Sequence, residues 1–114
     1  MTMQVDNHAG VSVVRVAGDL TGRDGGEVFS TVSKLLEQDK PRIVIDLTSV
    51  SMISSAGVGD LVRITAQANS QHGRVLLANP SPFVKGVFGT TKLDTFFEVF
   101  PDVDGALSEL GCSN

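Results

Sequence analysis

Apolar and polar positions along this chain repeat with a period near two in some stretches and near 3.6 in others, and the alternation between the two marks out its elements. Residues 2 to 6 and 11 to 17 read as a strand pair around Asp6-Asn7-His8-Ala9-Gly10, a cluster of turn formers. The second strand, V-S-V-V-R-V-A, is rich in β-branched residues. Gly18 to Arg23 reads as a loop. Asp24 and Glu27 then stand at capping-box spacing ahead of Val28, Phe29, Val32, Leu35 and Leu36, which predicts a first helix. Pro41 restarts the chain into Arg42-Ile43-Val44-Ile45-Asp46-Leu47, a compact apolar run suited to a strand in the middle of a sheet. After a short loop, Val58, Leu61, Val62 and Thr65 recur at helical spacing with Asp60, Arg63 and Gln67 on the other side, so a second helix opens at the serines 54 and 55 and closes before Gly73. Arg74 to Ala78 is another short apolar strand. Ser81-Pro82 supplies an N-cap and a first-turn proline for a third helix carrying Phe83, Val84, Val87 and Phe88. A loop from Gly89 to Asp94 leads to a last strand over Phe96 to Phe100, and Val103, Ala106, Leu107 and Leu110 make a final helix.

The order is therefore ββαβαβαβα. Strands alternating with helices require crossovers between parallel neighbours, and the opening hairpin adds an antiparallel pair. The expectation is an α/β fold, a mixed sheet of four to five strands with helices packed on it. Five of the six phenylalanines fall between Phe83 and Phe100, and they read as core rather than as an aromatic ligand cage. At 114 residues, residues 1–114 form one domain, a size at which roughly two-thirds of the unfolded surface is buried without a staple or metal. An apolar content of 41% with 19% charged residues is that of an ordinary globular chain.

Charge and cysteine usage narrow the partners. The formal net charge is -4 and the nine basic residues are scattered, so a phosphate backbone is repelled on balance and nucleic acid is excluded as a partner. The single cysteine, Cys112, permits neither an intrachain disulfide nor a cysteine cluster for zinc. No signal-peptide pattern opens the chain and no apolar run approaches the roughly 18 residues of a membrane span, which points to a cytoplasmic protein without membrane insertion.

The chemistry concentrates at the junction within Ile43 to Leu61, where a buried strand passes into a helix that opens on serines and glycines. Such a turn presents backbone N–H groups without partners inside the helix, at the positive end of its dipole. An anionic group on Ser55 suits that position. Against the G-x-S-x-G nucleophile elbow of hydrolases, Ile53-Ser54-Ser55-Ala56-Gly57 matches only the trailing of the two glycines. His72 falls at the far end of the second helix, roughly 25 Å from Ser55 at 1.5 Å per residue, and His8 sits in the first turn. A phosphate-accepting aspartate of receiver type would be Asp46, but only Asp19 is placed to assist it. There is no G-x-x-x-x-G-K-(S or T) loop and no His or Cys cluster at metal-ligand spacing. No catalytic residue, metal ligand or cofactor site is expected, and a binding surface remains.

Taken together, the motifs resemble those of the STAS domain, and specifically the small bacterial anti-sigma factor antagonists. The centre of the resemblance is Asp46-Leu47 followed by Met52-Ile53-Ser54-Ser55-Ala56-Gly57-Val58-Gly59, similar to the family's strand, loop and Asp-Ser-(Ser or Thr)-Gly-(aliphatic)-Gly. Gly18-Asp19-Leu20 is like the family's Gly-Glu-Leu-Asp, and Ser81-Pro82 with Val84, Lys85, Phe88 and Leu93 is like its S-P-x-V helix. The resemblance implies a non-enzymatic, cytoplasmic switch protein without a cofactor. Unphosphorylated, it would bind an anti-sigma factor that is also a serine kinase of GHKL type and so free a sigma factor. Phosphorylation at Ser55, with Ser54 a minor competing acceptor, would release it, and a phosphatase could reset it. Asp19, Thr21, Ser54, Ser55, Gly57 and Gly59 map to the partner-binding surface. Two family aspartates are replaced, by Ser54 and by Thr21, and each replacement removes a negative charge from that surface.

Simpler roles stand beside these: N-capping for Ser54 and Ser55, close approach of the second helix to the sheet for Gly57 and Gly59, and a solvated loop acid for Asp19. The alternative function is a constitutive STAS scaffold in a stress-signalling assembly, or a soluble STAS subunit of a membrane transport complex. A serine hydrolase is the remote third.

Overall fold

The structure, a computed structural model, describes residues 2–8, 10–20, 25–37 and 40–111. Its elements run β1 (Thr2–His8), β2 (Val11–Leu20), α1 (Gly25–Leu35), β3 (Arg42–Ile53), α2 (Ser55–Ser70), β4 (Arg74–Ala78), α3 (Pro82–Thr90), β5 (Glu98–Phe100) and α4 (Val103–Glu109). The five strands form one sheet in the order β1-β2-β3-β4-β5; β1 is antiparallel to β2 and every other neighbouring pair is parallel. This is the α/β mixed sheet and the element order expected from the pattern of the chain.

Helices cover the two faces unequally. Val14, Val16, Ile43, Ile45, Leu47 and Leu77 point into the larger core with Val58, Leu61 and Ile64 of α2 and Val84 and Phe88 of α3. Their alternate neighbours Val11, Val13, Val44, Leu76 and Ala78 meet Ala106, Leu107 and Leu110 at the C-terminal end of the chain. Burial on both faces explains why Ile43-Val44-Ile45 is a continuous apolar run rather than an alternating one. Arg42 donates from Nη1 to the Leu110 carbonyl at 2.9 Å and ties the last helix to the base of the sheet.

Several local expectations change. β2 runs through Gly18-Asp19-Leu20, past its expected end at Ala17, and β3 runs on from Leu47 through Ser51-Met52-Ile53, so the loop expected between Leu47 and the serines is strand instead. Two register shifts, between Arg15 and Ala17 and between Gly18 and Asp19, accommodate extra residues on β3, and Gly18 takes φ 104° there. β5 is confined to Glu98–Phe100: Phe97 turns into the core against Phe88, ring centroids 5.0 Å apart, before the strand begins. Phe83 and Phe96 are exposed, at 52% and 39%, and do not belong to the core assigned to the phenylalanines from sequence.

Asp60 is also misplaced by the helical pattern. It is buried, 7% exposed, on a helix that packs against α1 as well as against the sheet. Arg63 closes over it: the guanidinium pairs with the Asp60 carboxylate and lies 4.2 Å above the Phe29 ring. Asp24, read as the cap of α1, and Cys112 lie outside the described residues. Among the described residues no helix is long and apolar enough to cross a membrane.

Candidate functional site

The site lies where the extended ends of β2 and β3 meet the first turn of α2. Asp19 is the Cα partner of Met52 and Leu20 that of Ile53. The Ser54 N–H donates to the Leu20 carbonyl at 3.0 Å, which carries the strand ladder directly into the helix. Ser54 itself has extended backbone, φ -96° and ψ 172°, and its Oγ accepts the Gly57 N–H at 3.2 Å while its carbonyl accepts the Val58 N–H at 2.9 Å. Ser54 is thus the N-cap, and Ser55 is the first helical residue, with its side chain exposed. The N-cap serves the Gly57 N–H, and the N–H groups of Ser55 and Ala56 precede it at the open end of the helix. No acidic residue stands in this first turn, so no side-chain charge offsets the positive end of the dipole.

The two glycines of the motif separate. A Cβ on Gly57 would fall 2.2 Å from the Leu20 carbonyl oxygen and 3.1 Å from Ile53 Cγ1, so this position admits no side chain: the helix enters by sliding its backbone over the end of β2. A Cβ on Gly59 would meet nothing within 4 Å. The close-approach role holds for Gly57 alone, and the chain's own packing supplies no reason for a glycine at Gly59.

The residues singled out from sequence are accordingly brought together in large part. Asp19 is exposed at the end of β2; Ser55 and Ala56 are exposed on the first turn of α2; Ser54 and Gly59 are half-buried; and Gly57 is buried beneath them. Thr21 lies outside the described residues. Sequence reasoning did not nominate Met52 as a contact residue, although it is 49% exposed beside Asp19. The signal was present, since strand alternation with Ile53 inward turns Met52 outward, but it was legible only if the strand was known to continue that far. Asp46, weighed as a phosphate acceptor, sits mid-strand with its carboxylate accepting from the Thr48 N–H at 3.0 Å and from the Thr48 hydroxyl, and with Arg15 Nε 3.9 Å away. Among the described residues no group of three His, Cys, Asp or Glu side chains gathers as metal ligands.

The capping geometry carries a stability prediction. Ser54→Ala should cost about 1 kcal/mol, read as a lower urea midpoint with unchanged slope. Unchanged stability would mean that the Ser54 hydroxyl contributes nothing to the start of the helix.

Comparison with known proteins places this geometry in a family. The STAS domain model matches residues 2–106. BtrV of Bordetella bronchiseptica, described as an anti-sigma factor antagonist, is 23% identical over 101 residues, covering 89% of this chain and 84% of its own. The crystal structure of an anti-sigma factor antagonist from Mycobacterium paratuberculosis superposes with a TM-score of 0.86 at 27% identity, over 96% of this chain and 93% of that one. The Bacillus anti-sigma factor antagonist SpoIIAA in its unphosphorylated form superposes with a TM-score of 0.81 at 23% identity, over 99% and 100% of the two chains. With the family match running over nearly its whole length, and the strand-to-helix serine junction at its centre, the chain belongs to the STAS domain family.

Proposed function

We propose that this protein is an anti-sigma factor antagonist, and that its exposed junction binds an anti-sigma factor that is also a serine kinase, with phosphorylation of Ser55 as the off-switch. The observation that carries this reading is the division of labour between the two serines. Ser54 holds the helix start through its Oγ, whereas Ser55 is exposed on the first turn. An enzyme that must reach a hydroxyl can reach Ser55 without unwinding the helix. Likeness to proteins described as anti-sigma factor antagonists supports the partner class.

The surface around Ser55 fits docking. Met52 offers an apolar anchor, Asp19 a charge beside it, and Gly59 leaves room for a partner's backbone to approach α2 closely. A phosphoryl group on Ser55 adds about -1.5 to -2 charge at pH 7, next to N–H groups that tolerate it. The protein therefore stays folded on phosphorylation and only its interface changes.

The test is purification from the native host, intact mass before and after phosphatase treatment, and identification of co-purifying proteins. The reading requires a phosphate mapped to Ser55, lost in Ser55→Ala and retained in Ser54→Ala, together with a GHKL-type kinase partner. A chain never phosphorylated under any growth condition, purifying instead with transporter subunits, overturns it in favour of a constitutive scaffold. A separate expectation concerns Gly59→Ala, which should leave stability unchanged or raise it by about 0.5 to 1 kcal/mol while weakening kinase binding. Unaltered affinity, measured by calorimetry, would remove Gly59 from the interface.

A further inference from the structure

The two edges of the sheet are built differently. The β5 edge is three residues long, and Glu98 on it is engaged by Arg74, which also pairs with Glu109. It is short and charged, as edges that avoid pairing are. The β1 edge runs seven residues, Thr2–His8, without a proline, a lysine or a register shift against β2. Its backbone is thus regular along the whole strand.

That edge is also self-complementary. Two residues separate His8 from its Cα partner Val11, which makes this a hydrogen-bonded pair and turns the N–H and C=O groups of Gln4, Asp6 and His8 toward β2. The groups of Met3, Val5 and Asn7 then point outward. Across the sheet, Val5 ends the row Leu77, Ile45, Val14, Val5, of which the first three are fully buried while Val5 is 44% exposed. An apolar row that crosses three strands and stops half-exposed at an open ladder lacks its next strand.

We infer that the β1 edge is a homodimerisation surface, on which a second copy of this chain pairs its own β1 antiparallel about a two-fold axis through Val5. In this register Val5 exchanges both hydrogen bonds with its symmetry mate, Met3 pairs with Asn7, and all three outward-facing residues are used in both copies. Val5 meets Val5, and the apolar row runs unbroken from one sheet into the other. Asp6 stands opposite Gln4, a neutral hydrogen-bonding partner, and the two Asp6 carboxylates do not face each other. Within the described strand Thr2–His8, the Val5 axis pairs Met3, Val5 and Asn7 of each copy with one another, whereas a register centred on Asn7 would carry Met3 past the end of the strand.

The experiment is sedimentation of the full chain over a concentration series, with disulfide trapping. Wild type should move toward twice the chain mass as concentration rises. Val5→Lys, at an exposed position and with like charges meeting on the axis, should keep the far-UV spectrum and raise the dimer dissociation constant at least about tenfold. In a Cys112→Ser background, Val5→Cys should form an intermolecular disulfide under mild oxidant, because Cα atoms of a hydrogen-bonded antiparallel pair lie about 5.5 Å apart. Asn7→Cys, which faces Met3 rather than itself, should not. A wild-type chain that remains monomeric at every concentration overturns the inference, as does a dimer that survives Val5→Lys or crosslinks equally through positions 5 and 7.

Discussion

Replacing Gly57 with alanine is expected to destabilise the domain by about 3 kcal/mol or more, at the upper end of what overpacking costs. The added methyl would lie 2.2 Å from the Leu20 carbonyl oxygen, and that oxygen already accepts the Ser54 N–H. Because the obstacle is backbone held in the β2–β3 ladder, relief requires moving the start of α2 away from the strand ends, at the expense of the Ser54 cap and the packing of Val58 and Leu61. For a domain of this size the loss should lower Tm by roughly 10 °C or more, measurable by calorimetry. Gly59→Ala, two residues along the same helix, is the internal control: with nothing within 4 Å of its Cβ it carries no such penalty. Equal melting temperatures for Gly57→Ala and wild type would show that the helix start is not pinned on Leu20.

Phosphorylation of Ser55 is expected to reduce affinity for the kinase partner by a factor of hundreds to thousands without unfolding the domain. The estimate follows from burying an uncompensated charge at a docked surface, on the order of 3 to 5 kcal/mol, at about 1.4 kcal/mol per tenfold change in affinity. Within the free protein the same charge sits at the N-terminus of a 16-residue helix with no acidic residue in its first turn, a position worth a few tenths to about 1 kcal/mol in its favour. Binding and folding should therefore respond in opposite directions, which distinguishes a switch from damage. Titration calorimetry on the unphosphorylated and phosphorylated chains, paired with thermal melts of each, measures both. Affinity that falls less than tenfold, or a phosphorylated chain that melts well below the unphosphorylated one, would contradict the mechanism. Ser55→Asp should reproduce part of the loss, since it brings one charge and no phosphate geometry.

The replacement of the family's aspartate by Ser54 becomes intelligible in this light. A serine caps a helix about as well as an aspartate does, and Ser54 performs that task through Gly57. What it omits is a negative charge beside Ser55, which leaves Asp19, next to the exposed Met52, as the acid that the resemblance assigns to this surface.

Much of this was legible in the chain. Alternation between the two hydrophobic periods located every element, and Ser81-Pro82 placed the start of α3 because its cap is a local interaction: Ser81 Oγ accepts the Val84 N–H at 3.3 Å. The strand ends were not legible. Thr48, Ser49 and Ser51 carry the polarity of a loop, yet they lie in β3 because β2 runs alongside them, and that pairing joins residues more than thirty positions apart. Asp60 looked like a surface residue for a similar reason: α2 packs against α1 as well as the sheet, and a helical wheel contains no information about a second neighbour. The exposed Phe83 and Phe96 erred in the other direction, because large apolar side chains read as core wherever they occur.

The amino-acid sequence by itself therefore determined the kinds and order of the elements, the serine opening of α2 and the absence of a nucleophile elbow, all of which rest on propensities and spacings within a few residues. Only the tertiary structure decided which serine caps and which is presented, which glycine is pinned and which is open, and that Met52 joins the surface. Each of those depends on where the Leu20 end of β2 lies against β3 and α2, and a contact between distant segments is set by the packing of the whole sheet rather than by its neighbours in the chain.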